Sequence, residues 1–177
     1  MKLLDNKDMD ILIRMETEKD YEDISNVNRL AFGQEEESRL VNKIRNGNNF
    51  IADLSLVAET GGRIIGHILF SKIKISGSSI FESLALAPMA VVPDFQRKGI
   101  GAKLIVAGIS KAKELNFGSI IVLGHKDYYP RFGFQKASKW NIKCPFEIPD
   151  EAFMAMELSE NALKNKSGTV IYPNEFM

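Results

Sequence analysis

The stretch that most constrains this chain runs from Ala87 to Ala102, where an apolar run gives way to a helical pattern. The apolar run ends at Val92, Pro93 interrupts it, and a helix with a repeating apolar face begins near Gly99. The first backbone N–H groups of such a helix have no partner within it, and the helix dipole adds partial positive charge there. This strand–turn–helix unit therefore predicts an anion site at the start of the helix.

The residues of the turn favour a phosphate as that anion. Gly99 and Gly101 lack Cβ atoms, so a phosphate can approach the backbone closely. Arg97 and Lys98 add two cations beside the same spot. No Gly-Lys-Ser/Thr follows, so the turn is not a Walker loop, and the Gly-x-Gly-x-x-Gly pattern of dinucleotide-binding turns is also absent.

Hydrophobic periodicity and turn residues predict an α/β fold. Thr17 followed by Asp20 is a helix-start signal, and the first predicted helix runs from this signal to Phe32-Gly33. Two more helices are predicted over residues 35–45 and 99–115. The predicted strands cover residues 11–15, 54–60, 63–75, 80–92, 120–123, 134–137, 153–158 and 169–172. Gly61-Gly62 predicts a tight hairpin, and residues 139–150 are predicted to form a loop. Pro88 cannot donate to a sheet ladder, so it predicts an edge, a bulge or a splay within its strand.

Composition limits the class of protein. A length of 177 residues with 45% hydrophobic residues predicts one globular domain over residues 1–177, with a polar and flexible segment at residues 1–10. Lys plus Arg equals Asp plus Glu at 23 each, which gives no electrostatic support for binding nucleic acid or a membrane surface. No apolar run approaches the length of a membrane span, no Cys/His cluster predicts a metal site, and Cys144 is the only cysteine. We therefore expect a cytoplasmic protein.

Two motifs resemble those of the GCN5-related N-acetyltransferases (the GNAT family). Gln96, Gly99 and Gly101 fill the fixed positions of that family's Gln/Arg-x-x-Gly-x-Gly/Ala motif, preceded by Val-x-Pro as in many members. The segment Tyr128–Phe134 looks like the family's Tyr-x-x-x-Gly-Phe block, and it stands in the right order at the right distance. The longer stretch Leu123–Phe134, together with residues 153–158, is especially similar to the bacterial YhbS-like branch. The resemblance covers roughly residues 11–172.

The resemblance implies a mixed central sheet that splays between two parallel strands, with helices on both sides. It also implies acetyl-CoA as co-substrate and an amine as acceptor. The pantetheine arm would lie in the gap, against the strand residues Ala90, Val91 and Val92. The pyrophosphate would lie on the glycine turn, whose implied contacts are Gln96, Arg97, Lys98, Gly99, Ile100, Gly101 and Ala102.

The family's tyrosine lies four residues before the glycine of Gly-Phe, which selects Tyr129 over Tyr128 as the acid for the leaving thiolate. A thiol pKa near ~8.5 and a phenol pKa near ~10 are close enough for useful proton transfer. The alternative is a tyrosine that only packs.

The acceptor ammonium must lose a proton, and the candidate bases are Glu82, Glu59, His67, His125 or a water chain. Glu82 has the strongest claim because it is predicted on the splayed strand, although it also fits an ordinary surface glutamate. His67 fits a solvent-facing side chain of a strand, and His125 fits a turn cap. Cys144, beside a proline, fits a small loop or core residue better than a nucleophile.

Three functions remain open from the sequence. The first is direct transfer of acetyl from acetyl-CoA to a primary amine in a ternary complex. The second is a non-catalytic acyl-CoA sensor on the same fold, and the third is an interaction domain whose anion site binds some other phosphate. The sequence leaves the acceptor open among small amines, antibiotics, amino acids and protein amines, and it leaves both a monomer and a homodimer open.

Overall fold

The computed structural model describes residues 9–177, so most of the segment predicted to be flexible lies outside the described residues. Within that range there are three α-helices: α1 (Tyr21–Phe32), α2 (Glu36–Arg45) and α3 (Ile100–Glu114). The strands of the same range are β1 (Leu12–Met15), β2 (Phe50–Thr60), β3 (Arg63–Ser76), β4 (Ile80–Val91), β5 (Ser119–Leu123), β6 (Gln135–Lys136), β7 (Ile142–Lys143), β8 (Phe153–Glu157) and β9 (Gly168–Ile171). No helix among residues 9–177 is both long enough and apolar enough to cross a membrane.

The strands form one mixed sheet in the order β1-β2-β3-β4-β5-β8-β6. Neighbours are antiparallel except β4 and β5, which run parallel. β9 pairs with the end of β3, through Lys74, Ile75 and Ser76, and also with β7. The parallel pair is joined through α3, as follows from the predicted order of a strand over 80–92, a helix over 99–115 and a strand over 120–123.

The local signals in the sequence predict most of these elements well. Gly61 and Gly62 join β2 to β3 with φ values of 55° and 78°, as a two-residue hairpin turn requires. The Thr17 backbone N–H donates to the carboxylate of Asp20 at 2.7 Å, so the predicted helix-start signal is present before α1.

The predictions for residues 134–150 are partly wrong. The strand predicted over residues 134–137 is limited to the two residues of β6, and Ala137–Trp140 form a 3₁₀ turn. β7 lies inside the predicted loop because Ile142 and Lys143 pair with β9. Two-residue strands have no periodicity of their own, so only the partner strand defines them.

Helix α3 packs against one face of β3. A methyl group on Gly108 would overlap the ring of Phe70, and one on Gly66 would lie 3.1 Å from Leu104. Because both residues are glycines without a side chain, the helix can approach the strand closely. Phe70 and Leu104 are both fully buried at this contact.

The opposite face of β3 carries a buried polar network beneath α2. The His67 Nε2 lies 2.9 Å from the Ser55 hydroxyl and 3.2 Å from the Glu16 carboxylate. Arg45 of α2 donates to the same carboxylate from Nε at 2.7 Å and from Nη2 at 3.1 Å. The solvent-facing reading of His67 is thus wrong, because its side chain is completely buried.

Burial and hydrogen bonding set the charges of this network. Burial by itself would raise the pKa of Glu16, but hydrogen bonds from His67, Arg45 and Ser55 lower it to about 2. Burial lowers the pKa of His67, so its imidazole is neutral. With Nε2 donating to Glu16, Nδ1 is the acceptor nitrogen, and it is buried with no hydrogen-bond partner among residues 9–177. The charged members of the network are therefore Glu16 and Arg45, which form an ion pair.

We expect Glu16→Gln to destabilise the protein, with an effect that depends on pH. The folded pKa of about 2 lies below the usual 4.5, so the carboxylate stabilises the folded state above about pH 4.5. This shift corresponds to about 3 kcal/mol, which is lost as the pH falls from 4.5 toward 2. Urea unfolding of both proteins from pH 7 to pH 3 should show the difference shrink on acidification.

Glu35→Gln is the matched control, since Glu35 is exposed and lies 3.6 Å from Arg29. Its cost should stay below about 1 kcal/mol, as is usual for surface ion pairs. A Glu16→Gln difference that is independent of pH would contradict the assigned charge state.

Candidate functional site

A gap opens in the sheet between the parallel strands β4 and β5. Their ladder contains two pairs, Leu84 with Ile120 and Ala85 with Ile121. β4 continues to Val91, and its register against β3 shifts around Pro88, where two residues oppose one. The proline thus lies in a β-bulge at the point where the strands separate.

The backbone of β4 faces alternately toward β3 and toward this gap. The Val92 N–H donates to the Ile65 carbonyl of β3 at 3.0 Å. Because an antiparallel strand directs alternate residues to opposite sides, Ala90 also points its amide to β3, whereas Met89 and Val91 direct theirs into the gap. Met89 lines the cavity beside this gap and was not expected from the sequence, since its orientation depends on the bulge.

The turn before α3 has the backbone conformation that the glycines suggested. Gly99 has φ 80°, and Arg97 adopts φ 60°, a left-handed conformation that is uncommon outside glycine and often found at functional sites. The first helical bond runs from the Lys103 N–H to the Gly99 carbonyl at 3.1 Å. The N–H groups of residues 100–102 therefore have no acceptor within the helix.

One side chain of the turn is hydrogen-bonded to β4, and two others carry positive charge. Gln96 donates from Nε2 to the Val91 carbonyl at 2.9 Å, so it ties the turn to the end of β4. Arg97 and Lys98 are exposed, and the Lys98 ammonium lies 5.3 Å from the centre of the Phe95 ring. The two cations thus stand in solvent beside the free amides.

A cavity of about 1090 Å³ extends from the gap. Its sheet-side lining comes from the two separating strands and consists of Leu86, Ala87, Pro88, Met89, Ile121 and Leu123. The turn after β5 adds Gly124, His125, Tyr128 and Tyr129. Helices α1 and α2 and the last third of the chain contribute Phe32, Glu37, Leu40, Phe146, Tyr172 and Phe176.

The two adjacent tyrosines point in different directions. The Tyr128 hydroxyl lies 2.9 Å from the position that a Cβ on Gly101 would occupy, so it reaches the start of α3. Tyr129 is 8% exposed and packs edge-on against Tyr128, with ring centres 5.2 Å apart, and against Phe134 at 5.7 Å.

Tyr129 depends on a glycine that the sequence reasoning did not identify. A methyl group on Gly124 would overlap the Tyr129 ring, so the ring can occupy this place only because residue 124 has no side chain. Burial, with a smaller effect from Tyr128, raises the pKa of Tyr129 to about 12. The phenol therefore keeps its proton throughout the physiological pH range.

The candidate bases lie in different parts of the molecule, and among them His125 lines the cavity. Glu59 is hydrogen-bonded to Arg14 at 2.8 Å near the β1 end of the sheet. Glu82 is exposed and pairs across the ladder with Lys74, before the two strands separate. His67 belongs to the buried network already described.

Cys144 lies outside the large cavity. It borders a separate pocket of about 620 Å³ beside β7, together with Ile142 and Phe153. Burial raises the pKa of its thiol, which lowers its reactivity as a nucleophile. Among residues 9–177, no group of three or more His, Cys, Asp or Glu side chains is arranged to hold a metal ion.

Comparison with known proteins gives consistent matches. Residues 52–136 match the family profile described as an acetyltransferase (GNAT) domain. The uncharacterised N-acetyltransferase YjhQ of Escherichia coli K12 is 37% identical over 134 residues, which cover 75% of this chain and 74% of YjhQ. The uncharacterised N-acetyltransferase YhbS of the same strain is 29% identical over 167 residues, which cover 94% of this chain and 98% of YhbS.

Two solved structures share both the fold and a comparable level of identity. The crystal structure of E. coli YhbS in complex with CoA superposes with a TM-score of 0.89 at 28% identity, over 96% of this chain and 93% of that one. A GNAT acetyltransferase of Brucella melitensis in complex with acetyl-CoA gives 0.78 at 28% identity, over 94% and 98% of the two chains. The mixed, splayed sheet is thus the GNAT fold that the motifs implied, and the chain belongs to the GNAT family of acetyltransferases.

Proposed function

We propose that this chain, as one domain, binds acetyl-CoA across the start of α3 and the gap between β4 and β5, and transfers the acetyl group to a primary amine. The observation that carries the proposal is that three features lie next to one another: the N–H groups at the start of α3, the open edge of β4 and the buried Tyr129. The structural relatives in complex with CoA and acetyl-CoA support acetyl-CoA as the co-substrate.

The pyrophosphate lies on the N–H groups of residues 100–102. Gly99 and Gly101 leave the backbone open to it, and Arg97 and Lys98 supply positive charge from the solvent side. Gln96 contributes by holding the turn against Val91 rather than by touching the phosphate.

The pantetheine arm then follows β4 along Val91 toward Met89. Backbone groups directed into the gap hydrogen-bond an extended amide chain as a neighbouring strand would. An N–H on this edge also stabilises the thioester oxygen as it gains negative charge. A fixed strand orients the acetyl group without reorganisation during the reaction.

The reaction is a direct substitution at the thioester. The amine nitrogen attacks the carbonyl carbon, the C–N bond forms, and the C–S bond breaks. Tyr129 gives its proton to the departing thiolate. Burial raises the pKa of Tyr129 to about 12, so the phenol still holds its proton when the thiolate leaves.

The acceptor must first lose a proton. An ammonium with a pKa near ~10.4 needs about 4–5 kcal/mol to deprotonate at pH 7. We propose that His125 accepts this proton, directly or through water, since it lines the same cavity as Tyr129.

For the pyrophosphate site, we expect Gly101→Glu to weaken CoA binding by about 100-fold or more. The new carboxylate would stand among the phosphate-binding amides, and each charge-assisted hydrogen bond contributes about 1.5–3 kcal/mol. Titration calorimetry with CoA measures the effect. Val106→Glu, an exposed position of the same helix with the same change in charge, should bind CoA normally. Equal CoA affinity in a folded Gly101→Glu variant would show that the pyrophosphate binds elsewhere.

For the general acid, we expect Tyr129→Phe to lower kcat by about 10²–10⁴-fold, the usual contribution of general acid catalysis. The ring and its packing on Gly124 remain, so CoA affinity should change little. Steady-state thiol release and CoA titration test the two parts separately. Tyr128→Phe is the internal control and should affect kcat far less. A larger kcat effect from Tyr128→Phe, or normal turnover in both variants, would refute the assignment of Tyr129.

For the ternary complex, we expect Cys144→Ala to retain near-normal turnover. The thiol borders a different pocket, and direct transfer needs no acyl-enzyme. Mass spectrometry of the protein during turnover checks the mechanism: an acetyl group trapped on Cys144 would contradict it.

A further inference from the structure

The cavity extends well beyond the gap, and its outer wall is aromatic. Phe146 stacks on Tyr172 with ring centres 6.3 Å apart and planes at 24°. Tyr172 in turn packs on Phe176, with centres 5.1 Å apart. We call these three side chains the aromatic row. Phe146 is 52% exposed although it lines the cavity, so the row presents an accessible apolar face.

Few charged side chains line the cavity. Among the described residues, no lysine or arginine lines this cavity, and Glu37 is the one Asp or Glu side chain that does. Glu37 sits in the first turn of α2 and accepts hydrogen bonds from the Gln34 side-chain amide at 3.0 and 3.2 Å. Among residues 9–177, no cationic side chain lies within hydrogen-bond distance of the Glu37 carboxylate.

These observations exclude two classes of acceptor. An amino acid would bring a carboxylate into a lining without lysine or arginine, and burying an unpaired charge is costly. A polyamine or an aminoglycoside carries several cations, and the lining offers them one acidic side chain and a mostly apolar surface. A single ammonium on an apolar body matches the lining in both charge and polarity.

We propose that the acceptor is an aromatic monoamine without a carboxylate. Its ring packs on the aromatic row, as offset or edge-on aromatic contacts favour. Glu37 provides the opposite charge for the ammonium as the amine enters. This inference rests on the proposed acetyl transfer and adds the class of amine.

The chemistry of the product is consistent with this role of Glu37. The amine attacks the thioester after losing one proton to His125 or water. As the C–S bond breaks, the nitrogen of the tetrahedral intermediate loses a second proton, which restores the phenol of Tyr129 after that phenol has protonated the thiolate. The amide product is neutral, whereas the incoming amine is a cation. Glu37 therefore attracts the substrate and not the product, which favours product release.

The test compares 2-phenylethylamine, phenylalanine and spermidine as acceptors, with thiol release from acetyl-CoA as the readout. Phenylalanine is 2-phenylethylamine with one added carboxylate, so this pair isolates the effect of that charge. We expect kcat/KM for 2-phenylethylamine to exceed both others at least about 10-fold, the ratio that one charged hydrogen bond supplies. A higher value for phenylalanine or spermidine would overturn the inference and leave acetyl transfer intact.

Variants locate the amine within the cavity. Glu37→Gln should raise KM for 2-phenylethylamine about 10-fold, and Phe146→Ala about 3- to 10-fold. Neither change should alter CoA affinity. Glu36→Gln is the matched control, because Glu36 is exposed on the same turn and does not line this cavity. Equal effects of Glu36→Gln and Glu37→Gln would also overturn the inference.

Calorimetry separates the two proposals. 2-Phenylethylamine should bind the CoA complex of the protein, more weakly in both variants. If CoA binds but the amine neither binds nor is acetylated, the inference on the acceptor is wrong and the CoA site stands. If CoA itself does not bind, the proposed function fails, and titration of the free protein with the amine still decides whether the aromatic row is its site.

Discussion

The candidate site depends on the short ladder between the parallel strands β4 and β5. Two ladder pairs join them, and immediately before these pairs the Ser83 hydroxyl lies 2.7 Å from that of Ser119 and 3.1 Å from its carbonyl. This buried contact closes one end of the parallel pair, while the bulge at Pro88 directs β4 away at the other. Each strand keeps an antiparallel partner, β3 or β8, so the gap stays open without leaving either strand unsupported.

The polar network and α3 stabilise the same strand from opposite faces. His67, bonded to Glu16 and Ser55, pairs across the ladder with Ala90. Phe70 packs against α3 at Gly108. β3 is thus held on both sides where it supports the open edge of β4. A rigid support of this kind lets backbone groups, rather than mobile side chains, do most of the positioning.

The sequence predicted the features that short-range chemistry determines. The Gly61-Gly62 hairpin, the start of α1 and the turn before α3 each follow from a few neighbouring residues. It could not predict that Glu16, Arg45, Ser55 and His67 meet, because these residues come from four separate segments and none has a distinctive pattern. β7 was missed for the same reason, since only pairing with β9 creates it. Met89 could be identified only from the position of the bulge, and Gly124 only from the direction of the Tyr129 ring.

The two halves of the cavity come from different parts of the chain. The turn, the open strand edge and Tyr129 all fall within residues 52–136, the part that matches the GNAT profile. Phe146, Tyr172 and Phe176 follow it, and β9 attaches their segment to β3 at the end remote from the glycine turn. Mutations in this last segment can therefore reshape one wall of the cavity while the backbone of the turn before α3 stays as it is. Because the two walls are separate, proteins that descend from one ancestor can change the acceptor that they modify and still bind the acyl donor.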